Sequence, residues 1–142
     1  MMEHSEKIVR IAKDWLGTPY RHQASKKQIG SDCLGLLRGV WREVIGDEPI
    51  KVPPYKANWR DRTNAGALEN AANDYLVASS DKPIAGDVIL FKMIKNMPAK
   101  HCAIMIDENH FIHAQEHIGV VEASLSKAWA SHVFAVYKFP IK

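Results

Sequence analysis

The order of patterns along the chain predicts an α+β domain in which N-terminal helices pack on a C-terminal antiparallel sheet of about five strands. Two observations carry this reading. Apolar residues recur at helical spacing as far as residue 76, and after Gly86 the texture changes to short β-branched and aromatic runs separated by turn residues. Helices and strands are thus segregated, which points to a sheet covered by helices and not to alternating βαβ units. The 142 residues suit a single domain, 1–142, with one real core.

The first helix is expected over residues 3–16, where Ile8, Ile11, Ala12 and Trp15 share a stripe and Gly17 with Pro19 supplies the stop. Residues 20–31 have no sustained period and read as a loop. A second helix follows directly: Leu36, Leu37, Val40, Trp41, Val44 and Ile45 lie on one stripe, Ser31 and Asp32 are good N-cap types, and Gly46 ends it. Residues 46–64, with three prolines, read as a long ordered loop too apolar for a flexible linker. Leu68, Ala71, Ala72, Tyr75 and Leu76 mark a third helix, broken by residues 79–86. Strands are expected at 87–92, 101–107, 110–114, 119–123 and 133–139.

Composition excludes several classes. Hydrophobic residues at 46% and charged residues at 25% fit neither a disordered nor a collagen-like chain. A formal charge of +3, spread without basic runs, indicates no nucleic-acid partner. No apolar run approaches the ~18 residues of a membrane span, so no membrane insertion is expected. Residues 1–15 mix both charge signs where a signal peptide would be apolar, so synthesis in the cytoplasm without an export signal is expected.

Cys33 opens the second helix. A thiolate is favoured there by unpaired backbone N–H groups and the helix dipole, so the position favours a reactive thiol over the other reading, a small buried hydrophobe. The only other cysteine, Cys102, reads as a packed core thiol. The two could pair in principle, but a reducing cytosol would keep both as thiols.

A thiolate nucleophile needs an imidazole beside it and a third polar group to orient that ring. If Asp107, Glu108 and Asn109 form a three-residue hairpin loop, with Asn109 left-handed, then His110 pairs with Ile106 and His113 with Ala103. His101 then lies diagonal to His113 on one face, while Cys102, Ile104, Ile106 and Ile112 face the other. A two-residue loop would break this arrangement. His110 and His117 read as loop or exposed positions, and the sequence alone does not say what His4, His22 and His132 would meet. The competing arrangement is a zinc site of His101, His113, His117 and Cys102; the chain has no Cys-x-x-Cys or His-Glu-x-x-His, and Cys102 should turn away, so neither metal nor cofactor is expected.

The segment GTPYRHQASKKQIGSDCLGL, followed by GDVILF, a histidine opening a strand and FIHA beyond it, resembles the NlpC-type cell-wall cysteine peptidases of the papain-like group. The resemblance runs from the first helix to the last strand. It implies that Cys33 in Asp-Cys-x-Gly is the nucleophile, His101 the general base and acid, and His113 the residue that orients it. Tyr20 in Gly-Thr-Pro-Tyr matches a tyrosine near the nucleophile. Asp32 matches an aspartate that helps some members hold a free peptide amine, and Ser31 beside it is grouped with it as substrate-binding. The implied activity is hydrolysis of amide bonds in peptidoglycan stem peptides, typically between D-glutamate and a diamino acid.

The VPPY loop and the AKHCAIM segment look most like the branch carried by phage tails and gene-transfer particles. Tail proteins are therefore expected partners beside peptidoglycan, and delivery by a virion or particle tail would bring the chain to the cell wall. Two features depart from the family pattern: Asp-Cys-Leu-Gly replaces the frequent Asp-Cys-Ser-Gly, and Arg21-His22-Gln23-Ala24 stands where many members have Gly-Gly. Both bear on substrate preference more than on mechanism. The alternatives are a non-catalytic tail-assembly protein with the same fold, for which Trp59 is the most plausible exposed anchor, and a papain-like amidase or acyltransferase acting on another substrate.

Overall fold

A computed structural model describes residues 2–52 and 66–141. Trp59 and most of the proline-rich 46–64 loop lie outside the described residues. Helix α1 spans Met2–Lys13, and its apolar stripe packs inward as the spacing of Ile8, Ile11 and Ala12 requires. It ends earlier than residue 16 because the last turn tightens. Trp15, Leu16 and Thr18 each donate their N–H three residues back, to Ala12, Lys13 and Trp15.

The loop at 20–31 contains a small ribbon that periodicity did not reveal, β1 (Ser25–Lys26) paired with β2 (Gly30–Ser31). Helix α2 runs Cys33–Val44, and its N-cap is Asp32, whose Oδ1 accepts the Gly35 N–H at 2.7 Å. Helix α3 covers Ala67–Tyr75.

All five expected strands are present, and a sixth extends the sheet. The strands are β3 (Val77–Ser79), β4 (Asp87–Phe91), β5 (His101–Met105), β6 (His110–Gln115), β7 (Gly119–Ser124) and β8 (Val133–Lys138). Their spatial order is β3-β8-β4-β5-β6-β7, antiparallel throughout. The short edge strand β3 falls in a stretch with too few residues to show alternation. The same holds for helix α4 (Lys127–Ala130), one turn long and capped by the Ser126 side chain on Trp129 N–H.

The central strands are buried on both faces, which is why DVILF and HCAIM read as unbroken apolar runs. Val88, Leu90, Cys102, Ile104 and Ile112 point to the helices and form the main core with Ile8, Trp15, Leu36 and Val40. On the opposite face Ile89, Phe91, Ala103, Met105 and Phe111 form a second cluster, covered in part by Trp129, Leu125 and Val133.

Residues 107–109 do form the loop between β5 and β6: Ile104 pairs with Ile112, Met105 with Phe111, and Ile106 N–H donates to the His110 carbonyl at 3.0 Å. The expectation of a left-handed Asn109 is corrected, because Asn109 is not among the residues of positive φ. Its N–H instead donates to Asp107 Oδ1 at 2.7 Å, an Asx turn that closes the loop without a left-handed residue.

Two glycines set how closely α2 can be approached. A Cβ on Gly39 would overlap the Trp15 ring, and one on Gly35 would overlap the Ala24 carbonyl. Glycine at 35 and 39, one turn apart, therefore lets α1 and the 21–25 segment lie directly on the helix that begins at Cys33. Gly39→Ala is expected to lower stability by about 1–3 kcal/mol through overpacking against Trp15, read as a lower urea midpoint with unchanged slope. An unchanged midpoint would show that the Trp15 contact has room to yield.

Candidate active site

Cys33 is the first residue of α2, half-buried at the end of the sheet where β5 begins. The helix is held there from below. Asp32 is 2% exposed, and besides capping Gly35 its Oδ2 accepts the Gln23 N–H at 2.7 Å, which ties the 21–24 turn to the helix start. The exposed His22 ring lies 3.8 Å from the same oxygen. Ser31 is fully buried, with its hydroxyl on the Asp32 carbonyl and its N–H on the Pro19 carbonyl. The Tyr20 backbone bridges to Ser31, and its hydroxyl lies near enough to the Cys33 sulfur to feel its charge.

His101, the first residue of β5, and His113 on β6 lie on the same face, and His101 Nε2 is 2.9 Å from His113 Nδ1. Both are buried, at 7% and 2% exposure. The diagonal placement deduced from the hairpin register is the one observed. Because Nε2 is committed to His113, the nitrogen of His101 left to face Cys33 is Nδ1. The thiol is hydrogen-bonded to the His101 side chain, and at the start of β5 Cys33 Sγ also lies 3.6 Å from the Lys100 carbonyl.

The electrostatics follow from this packing. The Cys33 thiol is held well below its usual range, first by a hydrogen bond from the Cys102 thiol and then by the hydrogen bond and charge of His101, which together outweigh burial. Cys102 is pushed the other way by the same contact and by burial, so of the two sulfurs Cys33 carries the charge. His113 is lowered to about 3, because burial opposes its charged form and a proton on His101 repels a second one. It therefore stays neutral and its Nδ1 can accept from His101 Nε2–H. The Tyr20 hydroxyl is pushed up by burial and by the charges of Cys33, Asp32 and Glu116, so it remains a proton donor.

The structure thus brings Cys33, His101, His113 and Tyr20 together and sets Asp32 and Ser31 behind them. Cys102 is the core thiol expected, 1% exposed on the helix-facing side. That side also holds Cys33, and the contact between them was not foreseen. Trp129 was missed as well. Its ring stacks on His101 at a centroid distance of 5.8 Å and meets His113 edge-on at 5.2 Å, closing with Phe91 and Phe111 an aromatic shell around the imidazole pair. A lone tryptophan on a one-turn helix gives no periodic signal that would have placed it. His110 is half-buried at the start of β6 and paired with Asp107, whereas His117 is exposed beside Glu116. Among the described residues no cluster of three or more His, Cys, Asp or Glu side chains could hold a metal ion.

A charged thiol at a helix start, facing an oriented imidazole on an antiparallel sheet, is the apparatus of papain-like acyl transfer. The match to the NlpC/P60 family model covers residues 17–138, and the chain belongs to that family. It is 26% identical over 116 residues to the Escherichia coli protein named murein DD-endopeptidase MepS/murein LD-carboxypeptidase, covering 82% of this chain and 52% of that protein. It is 25% identical over 133 residues to the gamma-DL-glutamyl hydrolase of Bacillus subtilis, covering 93% of this chain and 29% of that protein. The chain spans about half the length of the first and under a third of the second. A crystal structure of an NlpC/P60 family protein from Bacillus cereus superposes with a TM-score of 0.69 at 20% identity, over 95% of this chain and 40% of that one, and shares its fold.

The neutral His113 makes stability depend on pH. Unfolded, it takes up a proton as pH falls through its ordinary 6.5; folded, only near 3. The unfolded chain binds more protons between those values, so acidification over that window is expected to destabilise the fold by up to about 1.4 kcal/mol per pH unit. Denaturant melts across the window should show this slope in the natural protein and a shallower one in His113→Gln. Equal slopes would assign the acid sensitivity elsewhere. Trp129→Ala, which opens the shell to water, is expected to raise the pH at which the His113 ring titrates by NMR, and an unmoved titration would contradict the shielding role.

Proposed function

We propose that the chain is a cysteine peptidase that hydrolyses amide bonds in peptidoglycan stem peptides, with D-glutamyl to diamino-acid bonds as its targets. The observation that carries this is the relay of contacts from Cys33 through His101 to His113. The names of the relatives support the substrate class, since one is called a murein endopeptidase and the other a gamma-DL-glutamyl hydrolase.

In this reading the Cys33 thiolate attacks the scissile carbonyl, and His101, turned by His113, protonates the leaving amine. Water, losing its proton to His101, then cleaves the thioester. The backbone N–H of Cys33, in the first turn of α2, and the Tyr20 hydroxyl are the donors for the oxyanion. His113 accepts from His101 Nε2 and so stabilises the imidazolium that forms. Asp32 and Ser31 serve the substrate side by fixing the wall beside Cys33. The exposed Arg21, His22 and Gln23 of the adjacent turn meet the peptide there.

We further propose that the protein works as a component of a phage or gene-transfer-particle tail. The likeness of the VPPY and AKHCAIM segments to that branch supports this. Mass spectrometry of purified particles should detect the chain, and particles lacking it would contradict the assignment.

Cys33→Ala is expected to abolish the release of fragments from purified peptidoglycan, and Tyr20→Phe to lower kcat/KM by about one hundred- to one thousand-fold. Full hydrolysis by the Cys33→Ala protein would remove the reading.

A further inference from the structure

The proposed mechanism uses one of the two thiols in contact at the site and leaves the sulfur of Cys102 without a chemical part. These are the only cysteines of the chain, and neither is in a disulfide. Their contacts cross. Cys102 Sγ lies 3.2 Å from the Cys33 carbonyl oxygen, and Cys33 Sγ lies 3.6 Å from the carbonyl oxygen of Lys100, two residues before Cys102. Each sulfur therefore lies against the backbone of the other's segment, between the start of α2 and the start of β5. Two thiols held in that space by two rigid elements are placed for a bond between them, whose geometry requires Cα atoms within about 7 Å. Cys33 is half-buried and so open to a small oxidant, whereas Cys102, 1% exposed, is closed to solvent.

We propose that Cys33 and Cys102 form a reversible oxidation site, in which a hydroperoxide converts the pair to a disulfide that takes the nucleophile out of action and spares it irreversible oxidation. In the first step the Cys33 thiolate attacks the terminal peroxide oxygen. The O–O bond breaks, Cys33 becomes a sulfenic acid, and hydroxide or alkoxide leaves. In the second, Cys102 gives up its proton and its sulfur attacks the Cys33 sulfur. The S–O bond breaks, and the departing hydroxide takes that proton as water. Overall the two sulfurs lose two electrons, the peroxide gains them, and the products are one disulfide, one alcohol or water, and one further water. A dithiol reverses the change by exchange: its thiolate attacks the Cys33 sulfur, Cys102 leaves as thiol, and the dithiol's second sulfur releases Cys33 as it closes to its own disulfide. The site shares its thiol with the proposed peptidase, but bond formation is read by mass and does not require that any peptide be cleaved.

The test treats the purified full chain with a small excess of hydrogen peroxide, blocks remaining thiols by alkylation under denaturing conditions, and maps tryptic peptides. The natural chain is expected to lose both alkylation sites together and to yield a cross-linked pair of peptides, residues 28–38 and 101–127. Dithiothreitol should restore both thiols, and with them whatever thiol reactivity and hydrolysis the untreated sample showed. In Cys102→Ser, checked for folding by circular dichroism, the same exposure should carry Cys33 to sulfinic or sulfonic acid that dithiothreitol does not recover. Natural protein in which Cys33 reaches the sulfinic acid while Cys102 stays alkylatable, or in which disulfides form only between molecules, would overturn the proposal. That outcome is decided on the natural chain alone, whether or not the variant folds.

Discussion

The structure turns on one junction, where the first turn of α2 meets the first residues of β5. A thiol there meets the Cys102 thiol and the His101 ring, and both favour its charged form. The contact with His101 joins residues 68 positions apart, so neither segment creates it alone. It holds because α2 is clamped along its length, by Asp32 on the 21–24 turn, by the Trp15 ring over Gly39, and by the sheet-facing stripe of Leu36 and Val40. A helix free to slide by a turn would carry Cys33 about 5 Å from its partner.

The sheet contributes by having two dry faces. His101 and His113 lie on the face away from the main core, inside a shell of Phe91, Phe111 and Trp129. Drying keeps His113 neutral, and a neutral His113 can only help His101 by accepting from it. The ring order is thereby fixed, with Nε2 toward His113 and Nδ1 toward the sulfur. Tyr20 shows the same logic in reverse: burial and nearby negative charge keep its hydroxyl protonated and therefore a donor.

Much of this was legible in the residues. The three longer helices and five strands followed from period and punctuation, and a three-residue loop at 107–109 was enough to place His101 against His113. Cys33 was legible as a helix opener because Asp32 is a cap. What escaped did so for physical reasons. The β1–β2 ribbon, β3 and α4 are too short to show a period. The closure of the 107–109 loop came from a side-chain hydrogen bond of Asp107 where a left-handed Asn109 was expected. Trp129 and the contact of Cys102 with Cys33 are tertiary juxtapositions, and alternation along β5 said only that Cys102 faces the helices, not that Cys33 would be waiting there.

The ultraviolet absorbance of the thiolate, followed against pH in the natural protein, Cys33→Ser and His101→Ala, measures the junction itself without any substrate. The contact described here requires that the natural chain keep a Cys33-dependent thiolate signal well below the pH at which free cysteine ionises, and that His101→Ala shift it upward. A signal that emerges only in the ordinary thiol range, or that is indifferent to the loss of the imidazole, would mean that Cys33 and His101 do not form the pair on which the fold's chemistry rests.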